Sequence, residues 1–309
     1  MTRIIITGAS GVLGSAVYAA FSSHYTLLGL SHSSPDTRYT PIDLLDPVQV
    51  QKVWNEFNPD WVIHCAAERR PDVADKDSEK AQRLNAGVPA FLARLAAQMD
   101  HSLIYISTDY VFPGTSPPYL PSSTPDPLNL YGRTKLAGEH ALLSFENCSS
   151  VRVPVLYGPV KKSEDSAINV LEKVVRDQSG KQYKMDDWQV RYPTNVLDVA
   201  TFLRKLVELG KPLPKIIHFS APHKHSKYTL CLAFSQLLSL PCAHITPDTP
   251  DPASTGQESV KRPKDCRLDM RETEELLGVG EGEAWDGVEV VRWLEGWFNR
   301  DKGEGEGEA

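Results

Sequence analysis

The chain has 309 residues, of which 41% are hydrophobic and 24% charged, and its formal net charge is −7. This length and balance suit a packed globular fold, either one large domain or a domain with a smaller lobe, and exclude a fibrous or wholly disordered chain. The acidic balance, with no Lys/Arg run longer than two residues, argues against a nucleic-acid surface, and no apolar run approaches the roughly 20 residues that span a bilayer. In chain order, strands are expected at Arg3 to Thr7, Thr26 to Leu30, Trp61 to Cys65, Leu103 to Ser107 and Val151 to Leu156. Helical periodicity is expected over Val12 to Phe21, Val48 to Phe57, Glu79 to Met99 and Leu130 to Leu143. Such alternation predicts an α/β fold of Rossmann type, a doubly wound parallel sheet with a smaller C-terminal lobe. Further on, helices are expected near Ala167 to Arg176, Val196 to Leu209 and Tyr228 to Leu238, around a short strand at Ile216 to Phe219. The domain reading is a dinucleotide-binding domain over 1–160, to which 190–220 returns, and a substrate or partner lobe over 161–190 and 221–299. Residues 247–264 read as an exposed loop, and 300–309 as a disordered acidic tail.

The opening Met1 to Thr7 is too short for a signal-peptide core, so a soluble, cytoplasmic protein is expected. The five cysteines, Cys65, Cys148, Cys231, Cys242 and Cys266, are scattered without a C-x-x-C pair. They read as reduced thiols, with no metal site.

Gly8-Ala9-Ser10-Gly11-Val12-Leu13-Gly14 lies between the first strand and the first helix. There Gly8 permits a tight turn, Gly11 lets the backbone approach a pyrophosphate, and Gly14 allows helix to pack closely on strand. The helix N-terminus adds unpaired amides and a positive dipole end. Many such sites place a carboxylate about 20 residues further on, where it holds the ribose 2′-hydroxyl. Here the second strand ends in Leu30-Ser31-His32-Ser33-Ser34 and the first acid is Asp36. NADP(H) is therefore expected over NAD(H), which stays the alternative, because the basic grip on a 2′-phosphate is missing unless Arg38 folds back.

Tyr131 and Lys135 are four residues apart at the start of a predicted helix and share a face. A nearby ammonium should lower the phenol pKa from about 10, making Tyr131 a proton donor to a carbonyl that receives a hydride. A second copy of the spacing, Tyr157 to Lys161, contains Pro159, which disfavours a helix. The third member is expected at the end of a central strand, where open α/β sheets bind ligands. Thr108 is the choice, with Ser107 as the neighbouring alternative.

With these motifs in this order, the chain resembles the extended short-chain dehydrogenase/reductases. Ser107 to Phe112 and Pro127 to Glu139 are similar to dTDP-4-dehydrorhamnose reductases. His64 to Val73, Met185 to Thr194 and Arg262 to Asp265 look like the beta regulatory subunits of methionine adenosyltransferase, relatives of those reductases. The resemblance implies that Gly8, Gly11, Leu13 and Gly14 meet the pyrophosphate, with Asp43 and Leu44 beside the adenine and Ala66 and Ala67 near its ribose. The lesser alternative for Asp43 is a solvated residue that caps the next helix. Tyr131 and Lys135 would reach the nicotinamide ribose, and Pro154 and Val155 the carboxamide. Thr7, Ser10, Val12, Ser33, Cys65 and Asn85 complete the implied cofactor site.

The resemblance further implies a regulator that docks on a methionine adenosyltransferase catalytic subunit. The alternative is an NADPH-dependent reductase of a 4-keto nucleotide sugar, with Arg69, Arg70 and Arg191 available for a diphosphate. Two departures stand out. Beta subunits carry arginines where this chain has Ser33 and Ser34, and the tail that they use against the catalytic subunit is replaced here by Trp285 to Phe298 and the Gly/Glu run. Val290, Trp293, Leu294 and Trp297 recur at helical spacing, which means core packing or, as the lesser alternative, a docking face.

Overall fold

The computed structural model describes residues 1–32, 35–210, 212–249, 261–285 and 287–303. Strand β1 (Arg3–Thr7) is almost wholly apolar and buried, as a strand covered on both faces must be. It runs through the glycine turn into helix α1 (Val12–Phe21), and the chain returns as β2 (Thr26–Ser31) and a short β3 (Tyr39–Pro41). Helix α2 (Pro47–Phe57) has Pro47 in its first turn, and the Asp46 carboxylate accepts from the amides of Val48 and Gln49 at 2.9 and 3.2 Å. It stops at Asn58, which adopts the left-handed conformation. Then come β4 (Trp61–His64), α3 (Pro71–Lys76), α4 (Ser78–Gln82), a π-helical turn at Arg83–Gly87, α5 (Val88–Met99) and β5 (Ser102–Thr108). The single helix expected from Glu79 to Met99 is therefore interrupted by that wide turn.

Helix α6 (Leu130–Leu142) is capped by Asn129, whose side chain accepts from Gly132 N at 2.9 Å. It leads to β6 (Cys148–Val153) and β7 (Leu156–Tyr157). After α7 (Leu171–Arg176), β8 (Tyr183–Asp186), β9 (Thr194–Asn195) and α8 (Val196–Leu209), the chain re-enters the main sheet as β10 (Ile216–His218). The remainder is α9 (Lys227–Leu238), β11 (Ile245–Asp248), α10 (Arg271–Leu277) and α11 (Val290–Gly303).

Among the described residues the main sheet has seven strands in the order β10-β6-β5-β4-β1-β2-β3, and every pairing is parallel. The order reverses between β1 and β4, so the carboxyl ends of those strands open a crevice at the switch point. One face is buried under α1 and α8 through Val17, Phe21, Val199, Phe202 and Leu203, with Phe202 and Phe219 stacked 4.3 Å apart. The other is buried under α2 and α5 through Trp54, Leu92 and Leu95. These clusters account for the doubly wound form expected from the alternating pattern.

A separate cluster gathers elements that follow β6, called the lobe below: Leu171, Val175, Leu230, Phe234, Ile245, Val290, Leu294 and Phe298 are buried together. Val290 and Leu294 of the stripe on α11 lie in this core, with Trp293 and Trp297 packed against it, so core packing accounts for the spacing. The loop expected from residue 247 overlaps the end of β11, which pairs in parallel with β8. Residues 250–260 of that stretch and 304–309 of the expected tail lie outside the described residues, while α11 runs on to Gly303. No helix among the described residues is long and apolar enough to cross a membrane. The five cysteines are free thiols.

Candidate functional site

A cavity of about 1500 Å³ occupies the switch-point crevice and extends beneath the lobe. Its floor is the glycine turn. Gly8 has φ +64°, and a Cβ there would stand 2.8 Å from the Ala66 backbone. Gly14 is tighter still, since its Cβ would lie 2.1 Å from the Gly8 carbonyl oxygen. At Gly11 the nearest atom would be 3.2 Å away, and the residue is exposed to the crevice. No side chain caps α1, so the first amides of that helix are free to meet an anion. Ser10 is held against Ser31 by a 2.7 Å hydroxyl contact.

Of the expected cofactor residues, Gly8, Ser10, Gly11, Val12, Leu13, Gly14, Asp43, Leu44, Cys65, Ala66, Ala67, Tyr131, Lys135, Pro154 and Val155 all line this cavity. Thr7 and Asn85 stand behind its wall. The Thr7 hydroxyl bonds to His64 Nδ1 at 2.6 Å. Asn85, on the π-helical turn, accepts from Glu68 N at 2.9 Å and donates to Glu68 O at 2.9 Å and Thr134 Oγ1 at 3.1 Å. It thereby ties the 66–70 loop to α6. Ser33 lies outside the described residues. Asp43 accepts from Leu45 N at 2.9 Å, and the helix cap is Asp46. Arg38 does not fold back as an unencumbered cation: its guanidinium grips Asp36, at 2.7 Å for the shortest contact, and holds that carboxyl far below the usual range.

The opposite wall carries hydroxyl and ionisable groups. The Thr108 hydroxyl, at the end of β5, accepts from Tyr110 N at 3.2 Å and donates to Asp109 Oδ1 at 3.1 Å. Ser107, which also lines the cavity, has a buried hydroxyl without a partner among the described residues. Tyr131 is half-buried, and burial holds its phenol above the ordinary range while the Thr108 hydroxyl pulls the other way.

Lys135 corrects the expected pairing. Its Nζ turns into the sheet, donates to Ile106 O at 2.6 Å and sits 3.9 Å from the centre of the Tyr105 ring. Burial pushes this amine down to about 7, with Glu139 opposing. Tyr131 and Lys135 share a face of α6, yet the phenol is raised rather than lowered, because burial dominates, with Asp109 and Tyr110 adding to it.

Asp109 was not singled out by spacing, although it follows Thr108 directly. Buried in the cleft wall, its carboxyl is pushed up to about 7 by burial, against the pull of Arg191. In the lobe half of the cavity, Arg191 is buried with its guanidinium 5.6 Å from the Tyr110 ring, and Lys227 and Arg262 line the same space. Arg262 also grips Asp72 at 2.8 Å, and Arg70 pairs with Glu68 at 3.3 Å. Basic groups therefore converge where an anionic part of a ligand would lie. The second Tyr-Lys copy is dispersed: Tyr157 is buried, with its hydroxyl on Val288 O at 3.2 Å, and Lys161 is exposed.

Comparison with known proteins agrees with this architecture. The family model for the RmlD substrate binding domain matches residues 1–289. Methionine adenosyltransferase 2 subunit beta of Rattus norvegicus is 42% identical over 284 residues, covering 90% of this chain and 83% of that protein. A dTDP-4-keto-6-deoxy-D-glucose reductase of Streptomyces niveus is 30% identical over 259 residues, covering 82% and 85%. Among solved structures, dTDP-4-dehydrorhamnose reductase from Bacillus anthracis in complex with NADP superimposes with a TM-score of 0.80 at 25% identity, covering 97% of this chain and 99% of that one. The chain belongs to the RmlD substrate-binding-domain family, within which the methionine adenosyltransferase 2 beta subunits are relatives spanning nearly its whole length.

Proposed function

We propose that this chain is a regulatory subunit that binds NADP(H), docks on a methionine adenosyltransferase catalytic subunit in the cytoplasm and modulates S-adenosylmethionine synthesis. The observation that carries this reading is the 42% identity to a beta subunit across 284 residues, which spans the lobe as well as the dinucleotide fold. The turn at Gly8 to Gly14, with uncapped amides facing a crevice of about 1500 Å³, supports a dinucleotide pyrophosphate there. Tyr131 and Lys135 would hold the nicotinamide ribose, and Thr108, Tyr131 and Lys135 remain as the reductase constellation. The bound nicotinamide would supply hydride chemistry if turnover occurs. The absence of a carboxylate at the end of β2 supports NADP(H) over NAD(H).

The test mixes the purified protein with the catalytic subunit of the same organism. Light scattering should show a complex, and S-adenosylmethionine production should change when this chain is added. The second reading, an NADPH-dependent reductase of a 4-keto nucleotide sugar, draws on the Streptomyces niveus relative and on the basic groups in the lobe half of the cleft. It replaces the first if no complex and no kinetic change are seen while such a sugar nucleotide is reduced with NADPH.

A further inference from the structure

On the far side of the segment 190–192 lies a second cavity, of about 620 Å³, which shares no lining residue with the first. Arg191 lines the cleft and the next residue, Tyr192, lines this second space. Both positions are fixed by backbone pairing, since Arg191 and His225 exchange hydrogen bonds of 2.7 and 2.8 Å and Val190 N donates to Lys264 O at 2.7 Å. Pro117, Pro118 and Pro222 supply walls with little backbone freedom.

The charges around this cavity are unevenly satisfied. Its two carboxylates are already engaged. Glu289 meets His225 Nε2 at 3.0 Å with one oxygen, and with the other it accepts from Val291 N and Arg292 N at 2.9 and 3.3 Å at the start of α11. Asp265 accepts from Arg267 N at 3.0 Å, and its charge acts on the nearby Tyr192 phenol. The two cations, Lys224 and Arg267, have no ion-pair partner among the described residues. A guanidinium fork and an ammonium facing one space, with the neighbouring carboxylates held by hydrogen bonds to the wall itself, form a receptor for a multiply charged oxyanion.

We infer that the cavity between Lys224 and Arg267 is a second ligand site, taking a small phosphate-bearing molecule of about mononucleotide size. Its volume falls within the range of small-molecule pockets and exceeds what a bare phosphate fills. The phosphate would sit between the two cations, and the organic part would lie along the proline walls and His223, whose ring rests edge-on against Trp285 at 5.4 Å.

The test is titration calorimetry on the full chain, saturated with NADPH so that the first cavity is filled, using adenosine monophosphate and inorganic phosphate as separate probes. The monophosphate should bind saturably with a dissociation constant of about 1 mM or tighter, and inorganic phosphate should compete with it. The double variant Lys224→Ala, Arg267→Ala should bind it at least tenfold more weakly, with NADPH affinity and melting temperature unchanged. Unaltered binding in the double variant overturns the assignment, as does the absence of saturable binding in the parent protein. Adenosine binding as tightly as its monophosphate would overturn the phosphate class. NADPH affinity is read separately in the same protein, so its loss would count against the dinucleotide reading and not against this site.

Discussion

Along the floor of the cleft, from Gly8 to Gly14, the determinants are missing atoms, whereas along the wall the determinants are ionisable groups held in or against the protein interior, Asp109, Tyr131 and Lys135, beside the Thr108 hydroxyl. At Gly14 an added Cβ has nowhere to go, because the Gly8 carbonyl is backbone and cannot swing aside. At Lys135 the room is already filled by a long side chain, and what a substitution changes is charge. The first kind of site fails through shape. The second can keep its shape and lose its ionisation behaviour, which is why the two walls answer different experiments.

The largest effect is expected at Gly14→Val, where the new side chain collides with Gly8 and drives α1 off β1; the protein should fail to fold or lose more than about 4 kcal/mol in urea unfolding. A variant with near-parent stability would mean that shape is not the determinant there. Next comes Glu139→Leu. Glu139 and Arg152 form a two-pronged ion pair at 2.7 and 2.9 Å, buried between α6 and β6. Removing one partner strands a buried guanidinium and should cost about 3–5 kcal/mol by the same measurement.

Gly11→Leu sharpens the contrast from within the floor. With 3.2 Å to its nearest neighbour, the site can absorb a Cβ with a small adjustment, so the melting temperature should hold within about 4 °C. NADPH binding should nevertheless be abolished in calorimetry, since the side chain would fill the pyrophosphate position. Tyr131→Phe, on the wall, should leave NADPH affinity within about tenfold, roughly 1.4 kcal/mol, and remove any reductase turnover.

The smallest effects are in pH dependence, and they run in opposite directions. Lys135 has a folded pKa of about 7 against 10.5 for the ordinary amine. Between those values the unfolded chain binds the extra proton, so stability gains with rising pH relative to Lys135→Met. Asp109 titrates at about 7 in the fold against 3.8 ordinarily. Here the folded chain holds the extra proton, so stability falls as pH rises from about 4 to 7, relative to Asp109→Asn. Unfolding titrations of the three proteins at intervals from pH 4 to 10 would reveal both slopes, and parallel curves would remove buried charge as the wall's defining property.

The same contrast explains what could be read in the sequence. Close approaches leave glycines at fixed spacing behind a run of β-branched residues, so β1, the turn and α1 were legible as a unit. Tyr131 and Lys135 were legible as neighbours, because helical period alone sets that. The direction of the Lys135 amine was not, since it depends on Ile106 and Tyr105 in another element. Burial of Asp109 depends equally on distant partners, with Arg191 more than 80 residues away in the chain. Short polar elements such as β3, β8 and α3 carry too few residues for periodicity to emerge, and their pairing partners lie outside any local window. The π-helical turn at Arg83–Gly87 has no compositional mark of its own within an otherwise helical run.

One feature of the lobe bears on how the protein comes into being. The lobe's core contains Val290, Leu294 and Phe298 from α11, together with residues that precede them by 45 positions (Ile245 to Val290) to 141 (Tyr157 to Phe298). During synthesis, the sheet from β1 to β10 can assemble once about residue 219 has emerged, whereas the lobe stays open until its last helix leaves the ribosome. In that interval Leu230, Phe234 and Ile245 present an unsealed apolar surface. A stop codon placed before Val290 would make that exposure permanent, leaving a protein with an intact glycine turn and an unsealed lobe core that is prone to aggregate.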